Sequence, residues 1–127
     1  MTPIKVVVQA DQHFSSQKLH VRAGELYDIS CDGSQRWKDW FIKSSPEGFW
    51  NPLAIMVGLR VKNVNCFCLC ACYNDDITTA FPIGTGKEVR MEQDGYLSFF
   101  ANDSAKHYKN NRGQMEVLAI RKWPTTP

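Results

Sequence analysis

The densest group of metal-binding oxygens lies between Phe99 and Gly113. The apolar stretch Phe99-Phe100-Ala101 ends in Asn102-Asp103, and Ser104-Ala105-Lys106-His107-Tyr108-Lys109 leads to Asn110-Asn111-Arg112-Gly113. The Asp103 carboxylate, the amides of Asn110 and Asn111, and several loop carbonyls are hard oxygen donors set between two strand ends. Calcium takes about six to eight such oxygens and tolerates irregular geometry. Turn chemistry alone also enriches a loop in Asn and Asp, and the spacing does not match the EF-hand. The residues by themselves leave both readings open.

The five cysteines, Cys31, Cys66, Cys68, Cys70 and Cys72, offer a second chemistry. Zinc sites favour Cys-x2-Cys pairs, whereas Cys66 to Cys72 alternate. On a strand, alternate residues share a face, and a free thiol packs as a small hydrophobe. The run is therefore expected to be a core strand with its four thiols on one side. The odd count points to reduced thiols.

Catalytic patterns are missing. The sequence has no Gly-x-Ser-x-Gly elbow and no His-Glu-x-x-His. Gly84-Thr85-Gly86-Lys87 lacks the first glycine and the final Ser or Thr of a phosphate loop, so it reads as a turn. Asp75-Asp76 follows Asn74 in a polar stretch and reads as a solvated turn, with cation binding as the alternative. His13, His20 and His107 have no ligand spacing. Asn102-Asp103-Ser104 fits the N-glycosylation sequon, a short pattern frequent by chance. We expect no enzyme.

Strands must position this chemistry. Segments 5–10, 19–22, 25–31, 52–61, 65–73, 87–92, 96–101 and 114–123 alternate or are continuously apolar, with Gly, Pro, Asn and Asp between them. The expected fold is all-β, an antiparallel β-sandwich of the jelly-roll type resembling galactose-binding domains, with chemistry on its end loops. Residues 1–123 form one domain and 124–127 a tail. The 127 residues carry 15 basic and 13 acidic side chains, a net charge of +2, too small to argue for nucleic acid. No apolar run reaches the ~20 residues of a membrane span. The first residues lack the apolar core of a secretory signal, so a cytoplasmic location is expected, with release by a route lacking a signal peptide as an option.

The 102–113 loop resembles the LecA (PA-IL) family of soluble bacterial galactose-binding lectins. That family's pattern is Asn-Asp, a carbonyl donor four residues on, Tyr, a spacer and Asn-Asn-x-Gly. Here it is Asn102-Asp103, His107, Tyr108, Lys109 and Asn110-Asn111-Arg112-Gly113, without a gap. Ala23-Gly24-Glu25, Gly33 with Trp37, Pro46-Glu47-Gly48 and the run 56–61 extend the likeness less specifically.

The resemblance implies a calcium-dependent lectin. Calcium would be held by Asp103, Asn110, Asn111 and the carbonyls of His107 and Trp37. Two adjacent sugar hydroxyls would complete its shell, with Asp103, Asn110 and Asn111 also hydrogen-bonding the sugar. Trp37 is expected beside the sugar or in the core. Phe49-Trp50-Asn51-Pro52 stands where the family carries a sugar-reading His-Pro pair, which makes Trp50 and Asn51 sugar contacts; no Gln follows. The ligand would be galactose or a related sugar on a glycan. Lys106, His107, Lys109 and Arg112 form a local basic group that is either a solvated face or a preference for an acidic glycan. Family members are oligomers, so a homodimer or homotetramer is implied. The alternative is a structural or protein-interaction β-sandwich without sugar binding, with Arg121-Lys122-Trp123 as its interface.

Overall fold

The structure, a computed structural model, describes residues 2–52, 56 and 58–125. Eleven strands are formed among the described residues: β1 Ile4–Gln9, β2 Leu19–Val21, β3 Leu26–Cys31, β4 Trp37–Asp39, β5 Ile42–Ser44, β6 Leu69–Tyr73, β7 Phe81–Pro82, β8 Gly86–Arg90, β9 Gly95–Ala101, β10 Asn111–Arg112 and β11 Gln114–Trp123. They make two four-stranded sheets, ordered β1-β11-β3-β8 and β2-β9-β6-β7, and a small sheet β10-β4-β5. Every pairing is antiparallel. The all-β sandwich expected from the alternating segments is the observed architecture.

Alternation explains why the two large sheets face each other. On β11, Met115, Val117 and Ala119 are buried while Gln114, Glu116 and Leu118 point outward. Val6, Val8 and Ile29 join them from the first sheet, and Leu69, Ala71, Leu97 and Phe99 from the second, in one apolar core. No described helix is long and apolar enough to cross a membrane.

β6 is buried along its whole length, so its second face needs a cover. Cys68, Cys70 and Cys72 pack there with Phe100, beneath Phe14, Val64 and Ile77. All five thiols are free and buried. Three of the four run thiols therefore share a side, as expected. Cys66 does not: Phe67 has a φ of 64°, which breaks the alternation and turns Cys66 toward the main core.

The expected strand over 52–61 is also corrected. Pro52 and Met56 have helical backbone, and Leu59 makes one isolated bridge to Ser104. Leu53, Ala54, Ile55 and Val57 lie outside the described residues. The two supposed turns are turns. Thr85 donates its amide and hydroxyl to the Glu47 carboxylate. Asp76 caps the short 3-10 turn Ile77–Thr79, while Asp75 accepts from Ser98 and Lys18.

Candidate functional site

β9 runs directly into the loop, and the loop is tied at both ends. Asn102 is fully buried; its Oδ1 accepts from Val61 N at 3.0 Å and its Nδ2 is directed at the carbonyls of Val61, Val64 and Asn65. It clamps the 59–67 segment to the end of β9. That burial leaves the Asn102 amide no room for a glycan, so the sequon has no surface to act on. Tyr108, also buried, donates its hydroxyl to Ala101 O at 2.6 Å, accepts from Arg60 at 2.7 Å and stacks on His13 with ring centroids 4.4 Å apart.

Between these anchors, Asp103 is buried with both carboxylate oxygens engaged. Oδ1 accepts from Ser104 N at 2.7 Å and Oδ2 from Asn111 Nδ2 at 3.1 Å. The same Asn111 nitrogen also reaches Ala10 O at 2.9 Å. Asn111 Oδ1 is buried and lacks a hydrogen-bond partner. A buried amide oxygen left unpaired costs about 1–3 kcal/mol, so its presence marks a position where an electropositive partner belongs.

Strand pairing supplies the rest. Asn111 on β10 stands opposite Asp39 on β4. The Asp39 carboxylate, the Cys66 thiol and the Asp103 carboxylate lie within 4.8 Å of one another. Burial raises the Asp103 carboxyl above its ordinary value, against the donors from Asn111 and Ser104. Burial does the same to Asp39, and the neighbouring Asp103 charge adds to it. The Cys66 thiol is pushed up to about 12 by burial, then by Asp103 and Asp39. Three acid groups thus face one another, with the Arg60 guanidinium as a nearby charge that opposes the rise on Asp103.

The remaining expected ligands fall around this cluster unevenly. His107 caps the short 3-10 turn Tyr108–Asn110, and its carbonyl already accepts from Asn110 N at 3.2 Å; a carbonyl has a second lone pair. Asn110 is exposed, and its own carbonyl accepts from Trp40 N at 3.0 Å. Trp37 lies on β4 two residues before Asp39. Its ring is a correction to the sugar-contact expectation: it is 1% exposed, packs edge-on against Phe67 and donates Nε1 to Phe67 O. A ring so enclosed has no face for a ligand. Asp39 and Cys66 were missed by sequence reasoning, because only β10–β4 pairing and the turn at Phe67 bring them in.

Cys66 also forms part of the wall of a cleft of about 300 Å³ bordered by Trp50, Asn51, Asn63 and Asn65. Trp50 is 72% exposed. The two expected sugar contacts on that loop and the buried acidic cluster therefore meet at Cys66, held by the Phe49–Cys66 bridge. The arrangement offers a cleft in which Leu59 and Val64 mix with asparagines, with an aromatic edge, beside a concentration of oxygen donors.

No protein-family model matches this chain, and no curated protein sequence matches it. Among solved structures, it is similar to one described as "EclA N-terminal domain; PllA-like lectin". That match has a TM-score of 0.66 and 20% sequence identity, over 96% of this chain and 97% of the other. The chain thus shares the fold of a lectin domain over essentially its whole length.

Proposed function

We propose that this protein is a non-catalytic, calcium-dependent carbohydrate-binding lectin. The observation that carries the reading is the unpartnered, buried Asn111 Oδ1 beside the Asp103 carboxylate. The donors fit a hard cation: two carboxylates, from Asp39 and Asp103, the Asn111 amide oxygen, the exposed Asn110 amide and the His107 carbonyl, with the Trp37 carbonyl as the further ligand the sequence resemblance implies. Only the Cys66 thiol is foreign to calcium, which prefers oxygen. When bound, calcium would supply open coordination positions to two adjacent sugar hydroxyls.

Trp50 and Asn51 would line the sugar's outer edge, the ring covering apolar C–H faces and the amide pairing with hydroxyls. Galactose or a related sugar is the ligand proposed from the loop resemblance. A homodimer or homotetramer would add avidity through multivalency. In the segment that motivates the interaction-domain alternative, Arg121 pairs with Glu25 and Lys122 with Glu88, while Trp123, beneath Arg90, is 54% exposed.

The test is Asp103→Ala in isothermal titration calorimetry. The native protein is expected to bind calcium, and galactose only with calcium present; the variant is expected to bind neither. A variant that keeps calcium affinity would remove Asp103 from the site and refute the reading.

A further inference from the structure

The small sheet has a second face that points away from the acidic cluster. Its register places Arg112 on β10 opposite Lys38 on β4, and Lys38 opposite Lys43 on β5. Residues directly opposite in an antiparallel pair share a face, so three cations form one row across three strands. Strand spacing of about 4.8 Å makes that row roughly 10 Å long. Alternation sends the neighbours Asn111, Asp39 and Ser44 the other way. Arg36, two residues before Lys38, joins the row: Arg36, Lys38, Lys43 and Arg112, with Trp37 and Gly113, line one groove of about 290 Å³.

This arrangement is unfavourable without a counter-charge, because like charges directly opposite destabilise a sheet. None of the four takes part in an ion pair among the described residues. Among the described residues, the ammonium groups of Lys38 and Lys43 make no hydrogen bond, and the two arginines donate to nearby backbone carbonyls alone.

We infer that this groove is a binding site for an acidic glycan, whose sulfate or carboxylate groups sit along the row Arg112-Lys38-Lys43. Guanidinium and ammonium groups at strand spacing match successive oxyanions, and arginine adds bidentate contacts. A local, shallow groove of about 290 Å³ matches a few saccharide oxyanions rather than the extended face of a bilayer, and a net charge of +2 is weak for nucleic acid. The choice of a glycan rests on the carbohydrate-binding reading; the site itself does not require the cation cluster. It also relocates the basic group read from the sequence. Arg112 belongs to this groove, whereas Lys106 and Lys109 do not line it.

The test uses the full chain in EDTA, so that failure of the calcium reading cannot mask the result. A heparin-derived hexasaccharide is titrated into native protein, into Lys38→Ser/Lys43→Ser, and into the control Lys5→Ser/Lys87→Ser on the large sheet. Native binding is expected to weaken with salt, and the first pair to weaken it at least tenfold and flatten the salt slope by about two, one per lysine. The control is expected to change it less than twofold. Circular dichroism melting checks that the first pair stays folded; removing opposed like charges is not expected to lower its midpoint. No native binding, or equal loss in both pairs, overturns the inference. A DNA duplex bound as tightly and with the same loss in the first pair overturns the glycan assignment.

Discussion

At the scale of single residues, Asn102 and Asp103 are neighbours with opposite duties. Asn102 holds the loop and Asp103 faces the site. Asn102→Ala leaves several carbonyls and the Val61 amide without a partner in a buried setting. It is expected to cost about 2–4 kcal/mol in urea unfolding, more than Asp103→Ala, which removes a carboxylate already strained by burial. Asp75 provides a charge whose pH dependence has a definite sign. Burial alone would raise its carboxyl, but the Ser98 hydroxyl and the Lys18 ammonium hold it below its ordinary value of 3.8. A depressed carboxyl means the unfolded chain takes up its proton first as pH falls. The contribution is therefore present above that ordinary value and disappears as pH falls through the lower folded one. Asp75→Asn, which keeps a residue tolerant of the positive φ of 58° there, is expected to be less stable than native at pH 7. The gap should narrow as pH falls below 3.8, as read by urea midpoints at pH 7 and on the acid side of that value.

At the scale of elements, β6 joins two apolar clusters because both of its faces are covered. Its thiols, with Cys31, are expected to resist reaction. Burial pushes Cys31 up to about 12 and Cys72 up to about 11, and both are buried. Native protein is expected to react with Ellman's reagent only at the rate at which it opens, whereas all five thiols should titrate at once in guanidinium. Fast reaction of any thiol in native protein would contradict this packing. The long strands were legible because period-two alternation over six or more residues leaves little choice, as on β11. The three-residue strands β4 and β5 and the two-residue β10 are too short to show a period. The run 52–61 misled because a short apolar stretch reads equally as strand or helix. The site divides in the same way. Asp103, Asn110 and Asn111 were expected from the loop resemblance, and of these Asp103 and Asn111 are in direct contact. Asp39 and Cys66 come from distant strands, and no spacing announces them.

At the scale of the molecule, two large sheets bury the core, and the small sheet β10-β4-β5 carries contrasting chemistry on its two faces. Inward, Asn111 and Asp39 meet Asp103 and Cys66; outward, Arg112, Lys38 and Lys43 meet solvent. The central claim is that the inward cluster holds calcium and that calcium admits a sugar. A ligand that binds only the folded chain stabilises it by about 2.7 kcal/mol at a hundred times its dissociation constant. For a chain of this size that is several degrees at roughly 3 °C per kcal/mol. The measurement is thermal unfolding of EDTA-stripped protein, repeated with calcium and then with calcium plus galactose. The account predicts a rise of several degrees with calcium and a further rise with galactose only when calcium is present. An unchanged midpoint with saturating calcium, or a galactose response in EDTA, would contradict it.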